Sequence, residues 1–248
     1  MKNFKKNTIK ILDMFIKKHS KQSQLRKVAV FDADGTLWRG DIGEAFFKYQ
    51  VQNSLIPKAP LIKPWEIYCK AVADGKTADA FGWLAQWNEG VQEKDLRQWI
   101  QKFMKSSYGN HKIFSPMREL IKKLLKHGFE VWIVSGSMQW VVEEMAACFG
   151  MMSKHIIGTA VEVQNGVLTK KLSHFVPYRQ AKVKLIKNKI QSIPLLVAGN
   201  TYWDKDMMLL TKELAMAVHS EKKGGPNYYS EQKLFQLAKK KNWITVSF

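Results

Sequence analysis

Short apolar runs alternate with longer amphipathic segments along most of the chain. The first run, Val28-Ala29-Val30-Phe31, is continuously apolar and ends in polar residues, which is typical of a strand buried in a parallel sheet. Similar runs lie at Glu130–Val134, His155–Gly158, Leu195–Ala198 and Leu214–Val218, and helical segments lie among them at 115–127, 138–149, 179–190 and 230–241. This alternation predicts an α/β fold with a doubly wound, mainly parallel sheet.

The stretch 42–107 interrupts this alternation directly after the first strand. It contains no convincing strand and predicts helices near 42–53, 64–74, 77–88 and 93–106, separated by Pro57, Pro60, Pro64, Gly75 and Gly90. Ligands of α/β sheets bind beyond the carboxyl ends of the strands. We therefore expect a helical cap over that edge, inserted into an α/β core formed by 27–41 and 108–248.

Residues 1–26 form a separate basic extension in this scheme. They predict an amphipathic helix with Ile9, Leu12, Phe15 and Ile16 on one face and lysines around it. Such a helix can dock onto the core, or it can make a weak contact with an anionic surface or a partner. Both interpretations stay open at the level of sequence.

The composition is that of a globular protein with an unusual charge. The chain has 248 residues, 46% of them hydrophobic, and its 40 Lys and Arg against 21 Asp and Glu give a net charge of +19. The lysines are scattered and no nucleic-acid-binding signature accompanies them, so we expect a basic, solvated surface and no specific nucleic-acid partner. No apolar run approaches the roughly 20 residues of a membrane span. Only Cys69 and Cys148 occur, which favours free thiols and a cytoplasmic protein.

The most informative chemistry follows the first strand. Asp32 and Asp34 lie two residues apart at its end, and Gly35 follows them at once. Positions i and i+2 of a strand point to the same face, so the two carboxylates come close together. That arrangement costs free energy unless a cation lies between them or one carboxyl is protonated. A hard divalent cation or a proton donor is therefore indicated, although an Asp-Gly turn without function remains an alternative.

The segment Phe31-Asp32-Ala33-Asp34-Gly35-Thr36-Leu37-Trp38 resembles the first signature of the haloacid dehalogenase (HAD) superfamily, most of whose members are phosphatases. Three later segments are similar to its second, third and fourth signatures, in the same order: Val131–Ser137, the helix that opens with Lys182, and Leu196–Asp204. The cap position and a hairpin predicted at 160–169, with an Asn165-Gly166 turn, resemble the phosphoserine-phosphatase-like branch with a helical C1-type cap. Phosphocholine phosphatases share this layout, and the resemblance implies a Rossmann-like sheet.

The resemblance implies a role for each residue of the signatures. Asp32 would attack phosphorus and form an aspartyl-phosphate, and Asp34 would act as general acid and then general base. Ser135, with the adjoining Gly136, and Lys182 would hold the phosphoryl oxygens. Two alternatives remain: Ser135 as a simple helix N-cap, and Lys184 in place of Lys182.

The resemblance also implies a Mg²⁺ cofactor held by Asp32, Asp34, Asn200 and Asp204. Position 200 departs from the family, which usually has an acidic residue there. An amide offers the metal a neutral oxygen, so we expect weaker Mg²⁺ binding and expect Asn200→Asp to lower the Mg²⁺ requirement. The departure also leaves open a degenerate, inactive phosphate-binding protein.

Two acidic residues near the start of the cap bear on the substrate. Asp41 matches in spacing the residue that faces the amino group of the substrate in phosphoserine-phosphatase-like proteins, and Glu44 lies one turn further. The cap also carries Trp65, Tyr68, Trp83, Trp87 and Trp99, which at helical spacing favour a cap core over a ligand box.

We therefore expect a Mg²⁺-dependent phosphomonoester hydrolase that acts on a small phosphorylated substrate, phosphoserine-like or phosphocholine-like. The alternatives are a catalytically weakened phosphate-binding regulator, and a basic module that associates with nucleic acid or a membrane surface.

Overall fold

A computed structural model describes residues 4–22, 24–57, 63–106, 108–109 and 112–248. The predicted breaker Pro60 and the predicted domain ends at 1–3 and 107 lie outside the described residues. The helices are α1 Lys6–Ser20, α2 Ile42–Gln52, α3 Pro64–Ala73, α4 Thr77–Gln86, α5 Glu93–Ser106, α6 Ser115–Lys126, α7 Gln139–Ala147, α8 Gln180–Leu185, α9 Lys205–Met208 and α10 Tyr228–Lys240. The strands are β1 Val28–Phe31, β2 Glu130–Met138, β3 Ile156–Thr159, β4 Val161–Gln164, β5 Val167–Leu172, β6 Leu196–Gly199, β7 Leu214–His219 and β8 Ile244–Ser247.

Six parallel strands form the main sheet in the order β3-β2-β1-β6-β7-β8. Val28 and Val30 pack into one apolar cluster and Ala29 and Phe31 into another, so β1 is covered on both faces. This confirms the doubly wound α/β fold. The strand order reverses between β1 and β6, and such a switch point opens a crevice at the carboxyl ends of the two strands.

The second sheet is the antiparallel pair β4-β5. Its turn contains Asn165 and Gly166, both with positive φ, 52° and 78°. A two-residue turn of this kind needs positive φ at both positions, which Asn and Gly tolerate. The predicted hairpin is therefore confirmed.

Several elements differ from the sequence prediction, among them the short helix α9, which was not predicted. β2 continues four residues past the predicted end at Val134, to Met138. The helix predicted for 179–190 is α-helical only to Leu185 and continues as a π-helical turn, Ile186–Ile190. Strand β8 was not predicted, although Ile244 and Val246 alternate with polar residues and are buried.

Helices α2 to α5, here called the insert helices, lie between β1 and α6, the helix that precedes β2. Their described residues form no strand beyond one bridge between Gln92 and Val167, as predicted. Phe47, Tyr68 and Leu84 give them a buried apolar cluster of their own. Helix α4 contacts both β2 and β5 and so lies beside the end of β2.

Helix α1 docks onto the α/β core. Leu12, Phe15 and Ile16 are buried in the main apolar cluster, whereas Met14 on the opposite side is 62% exposed. The docking interpretation of the N-terminal helix is therefore confirmed. Across the described parts of the chain, no helix is long and apolar enough to cross a membrane.

Candidate functional site

Asp32 and Asp34 lie in the loop that leaves the carboxyl end of β1. The amide of Asp32 donates to the carbonyl of Ala198 at 2.9 Å, which ties this loop to β6. Gly35 turns the chain with a φ of +73°. A Cβ at Gly35 would lie 2.0 Å from Nδ2 of Asn200, so the loop can approach Asn200 this closely only because residue 35 is glycine.

Asp34 is held by four donors. Its Oδ1 accepts from Nε1 of Trp38 and from the amide of Ile42, each at 2.8 Å. Its Oδ2 accepts from Oγ of Ser137 at 2.6 Å and, more weakly, from Oγ of Ser135 at 3.4 Å. Burial, with the charge of Asp41, raises the pKa of Asp34 to about 7 despite these hydrogen bonds. A carboxyl with this pKa can both give and take a proton near neutral pH.

Asp32 faces a buried lysine. Nζ of Lys182 donates to Oδ1 of Asp32 and to Oδ1 of Asp204, each at 2.6 Å, and Thr36 Oγ1 donates to Oδ2 of Asp32 at 3.0 Å. Burial and the nearby Asp204 raise the pKa of Asp32 to about 7, although Lys182 opposes the shift. Burial alone would lower the pKa of Lys182, but Asp204 and Asp32 together raise it, so the lysine is charged.

The alternative lysine lies elsewhere. Nζ of Lys184 is 5.7 Å from the ring centroid of Phe175, which is 61% exposed. Lys182, by contrast, is buried between the two aspartates. Of the two candidates, only Lys182 reaches the site.

Ser135 and Gly136 lie within β2, next to Asp34. Ser135 is buried and its Oγ accepts from the amide of Ser137 at 3.1 Å. It is not a helix N-cap, because α7 begins at Gln139 with Met138 as its N-cap residue. A Cβ at Gly136 would lie 2.8 Å from the Phe81 ring, so this glycine lets α4 approach the site.

Ser137 was not predicted to be a site residue. Its hydroxyl makes the short hydrogen bond to Asp34 and lies 3.5 Å from Oδ1 of Asp41. A signal was present, since residues 135 and 137 of an extended chain point to the same face. The prediction ended the strand at Val134 and therefore missed this alternation.

Asp41 and Glu44 lie at the start of α2. Oδ1 of Asp41 caps this helix by accepting from the amide of Glu44 at 2.8 Å. Burial and Glu44 raise the pKa of Asp41 to about 7. Glu44 accepts from the Tyr68 hydroxyl at 3.0 Å, and burial also raises its pKa.

Two adjoining cavities open from the site. A small one of about 60 Å³ is lined by Asp32, Asp34, Lys182 and Asp204, and a larger one of about 390 Å³ is lined by Glu44, Lys48 and Tyr108. They share Asp41, Phe81, Asn200 and Trp203 among their lining residues. Of the predicted aromatic set, Trp65, Tyr68, Trp83 and Trp87 pack in the apolar cluster of the insert helices, as expected for a cap core, whereas Trp99 packs against the main apolar cluster.

The donor set suits a hard divalent cation. Asp32, Asp204 and Asn200 bring oxygen donors to the small cavity, and Thr36 Oγ1 lies 3.0 Å from Oδ2 of Asp32 and 3.4 Å from Oδ1 of Asn200. Within the described ranges, no group of three or more His, Cys, Asp or Glu side chains could hold a metal ion. A Mg²⁺ site built from two carboxylates, an amide and a backbone carbonyl is compatible with that result, because Mg²⁺ keeps several waters.

The family is shown by the sequence itself. Residues 29–208 match the haloacid dehalogenase-like hydrolase family, and the chain belongs to that family. The match spans all four signatures, so the resemblance stated from the sequence is confirmed.

The matching proteins include a phosphatase and solved structures of the same fold. The chain is 22% identical to the phosphorylcholine phosphatase of Pseudomonas aeruginosa over 175 residues, 55% of this chain and 50% of that protein. A protein of unknown function from Bordetella pertussis Tohama I matches with a TM-score of 0.70 and 17% identity, over 90% of this chain and 99% of its own. A phosphoserine phosphohydrolase-like protein from Francisella tularensis matches with a TM-score of 0.55 and 17% identity, over 89% and 94%. At these identities the solved structures show the shared fold.

Proposed function

We propose that the protein hydrolyses small phosphomonoesters through an aspartyl-phosphate on Asp32. One observation carries the proposal: Asp32 lies between the ammonium of Lys182 and the hydroxyl of Thr36, in a small cavity that also contains Asp34. A carboxylate oxygen of Asp32 attacks phosphorus, the phosphorus–oxygen ester bond breaks, and the alcohol leaves. Water then releases phosphate and restores the carboxylate.

Asp34 moves the proton in both steps of the proposed mechanism. Its carboxyl, with a pKa of about 7, gives a proton to the leaving alkoxide and then takes one from the attacking water. Ser137 and Trp38 hold Asp34 in place by donating to opposite oxygens of the carboxyl. Because a hydrogen bond to the ionised form lowers the pKa, these donors oppose the effect of burial and keep proton transfer reversible.

The negative charge of the phosphoryl group would be balanced by groups of the protein and by a bound cation. Lys182, with Ser135 and Gly136, would bind the phosphoryl oxygens. Asp32, the backbone carbonyl of Asp34, Asn200 and Asp204 would hold Mg²⁺. When bound, the cation supplies positive charge that offsets the carboxylates and the phosphate.

The larger cavity supports a substrate with a cationic end. Asp41 and Glu44 offer carboxylates and Phe81, Tyr108 and Trp203 contribute aromatic rings, while Arg39, Lys48 and Lys112 also line the cavity. An ammonium group between such groups gains charge attraction and a cation–π contact of roughly 0.5–2 kcal/mol. A phosphocholine-like or phosphoserine-like ester fits this chemistry, and the first agrees with the name of the curated relative. The insert helices act as the cap over this substrate. The two free cysteines, Cys69 and Cys148, favour a location in the cytoplasm.

A screen of phosphate esters with Mg²⁺ tests the proposal. We expect turnover of phosphocholine or phosphoserine to exceed that of sugar phosphates and nucleotides. A clear preference for the latter would overturn the substrate class. Absence of turnover on every ester, with phosphate binding retained, would favour the second candidate, a phosphate-binding regulator, which the amide at Asn200 motivates.

A further inference from the structure

Glu231 on α10 is a buried carboxylate that the proposed mechanism does not use, and it contacts Asn200. We propose that Glu231 is a positioning residue that fixes the Asn200 amide with its oxygen toward the metal position. The two side chains then form a pair in which the negative charge lies on Glu231 instead of on residue 200. This inference rests on the proposed function, because it assigns residues to the Mg²⁺ site of that reaction.

Each of the two carboxyl oxygens of Glu231 has its own set of hydrogen-bond donors. Oε2 accepts from Nδ1 of His219 at 2.5 Å and from the amides of Ser220 and Glu221, each at 2.9 Å. Oε1 accepts from Nδ2 of Asn200 at 3.0 Å and from Ser220 Oγ at 3.2 Å. Four of these five contacts come from N–H groups and the fifth comes from a hydroxyl, so both oxygens of the carboxyl act as acceptors.

The orientation of the Asn200 amide follows from this arrangement. Because Oε1 of Glu231 accepts from Nδ2, the amide oxygen must point the other way, toward Oγ1 of Thr36, which also lies 3.0 Å from Oδ2 of Asp32. Gly35 packs against the same nitrogen, which leaves the amide little room to shift. An amide oxygen is a ligand for Mg²⁺, whereas an amide nitrogen is not.

The same geometry explains an amide at a position that is usually acidic in the family. A carboxylate at position 200 would place an oxygen about 3 Å from Oε1 of Glu231 with no hydrogen between them. Two like charges in a buried setting repel strongly. We therefore replace the expectation from the sequence: Asn200→Asp alone should not lower the Mg²⁺ requirement.

Glu231→Gln should act through the amide of Asn200. Three N–H groups point at the position of Oε2, so the amide oxygen of the introduced glutamine must lie there. Its NH₂ group must then face Asn200. The Asn200 amide must then turn its oxygen to that NH₂ and its nitrogen to the metal position. Mg²⁺ affinity should fall about 10- to 100-fold, as for other residues that orient a metal ligand.

Combining the two changes should restore binding. In the double variant Asn200→Asp, Glu231→Gln, the introduced NH₂ donates to the new carboxylate, whose other oxygen remains free for the metal. Such non-additivity is the signature of a directly coupled pair. The matched control is Glu162→Gln, which loses only a surface ion pair with Lys171 in the hairpin.

The experiment compares five proteins: the wild type, the two single variants, the double variant and the control. For each protein, calorimetry measures Mg²⁺ binding without substrate, and denaturation measures the unfolding midpoint in the presence of a chelator. We expect weak Mg²⁺ binding in both single variants, a lowered midpoint in chelator for Asn200→Asp, and recovery of both properties in the double variant. Additive losses would overturn the pairing. The chelator arm needs neither metal nor turnover, so a wild type inactive on every ester would refute the proposed function while the coupling stayed measurable.

Discussion

Asp34 is the residue whose environment is most informative about the reaction. Burial and Asp41 raise its pKa to about 7, while Trp38, Ile42 and Ser137 hold the carboxyl in one orientation. The sequence predicted Asp34 as a site residue because an Asp-x-Asp pair after a buried strand needs a cation or a proton. Its donor Ser137 was not predicted, because the end of β2 depends on pairing with β3 as far as Met138.

Asp34→Asn should reduce kcat/KM more for an alkyl phosphate than for a nitrophenyl phosphate. An alkoxide needs a proton in order to leave, whereas nitrophenolate leaves unassisted. The loss with the alkyl ester should be roughly a hundred- to ten-thousandfold. Steady-state kinetics on both esters measure this, and equal losses would mean that Asp34 does not act as the acid.

Asp41→Asn should raise KM for a substrate with an ammonium group and leave KM for nitrophenyl phosphate nearly unchanged. Asp41 lines both cavities, so its charge is available to the cationic end of a substrate. Asp74→Asn is the matched control, since Asp74 pairs with Lys70 on the surface of the insert helices. If both substrates were affected equally, Asp41 would matter only as the N-cap of α2.

At the scale of elements, the order of helices and strands was largely predictable. The helical periodicity of the apolar residues and the positions of helix-breaking residues located all four insert helices, because each helix begins and ends near a proline, a glycine or a polar cap. What the sequence could not supply was contact between elements distant in the chain. Glu231 on α10 looked like an ordinary helix residue, and only the return of α10 onto β7 brings it to Asn200.

Helix α1 offers an element-scale test of docking. Leu12→Ala should lower the free energy of unfolding by about 2–5 kcal/mol, because Leu12 is fully buried and its loss leaves a cavity. Met14→Ala on the exposed side of the same helix should change stability by less than about 0.5 kcal/mol. Chemical denaturation compares the two, and equal effects would mean that α1 does not stay docked in solution.

At the scale of the whole molecule, the carboxylates around the site should govern stability in the absence of metal. Burial raises the pKa values of Asp32, Asp34 and Asp41 to about 7, well above the ordinary range of an aspartate. A raised pKa means that the native state binds the proton more tightly than the unfolded state does. The protonated carboxyls therefore contribute fully to the free energy of unfolding below about pH 4, and this contribution is lost as the pH rises through about 7.

Unfolding midpoints in chelator should therefore fall between about pH 4 and pH 7 more steeply for the wild type than for Asp34→Asn, which removes one of the titrating groups. Mg²⁺ should raise the midpoint most at the upper end of this range, because the cation binds ionised carboxylates. A midpoint in chelator that rose over the same range would contradict the buried carboxylate cluster.

The covalent intermediate on Asp32 tests the central claim most directly. The protein is mixed with substrate and Mg²⁺, quenched in acid within milliseconds, digested and analysed by mass spectrometry. We predict a phosphoryl group on Asp32, and we predict that Asp32→Asn forms none and loses at least roughly a thousandfold in turnover, about 4 kcal/mol of barrier. Normal turnover by Asp32→Asn, or a phosphoryl group on another residue, would contradict the account.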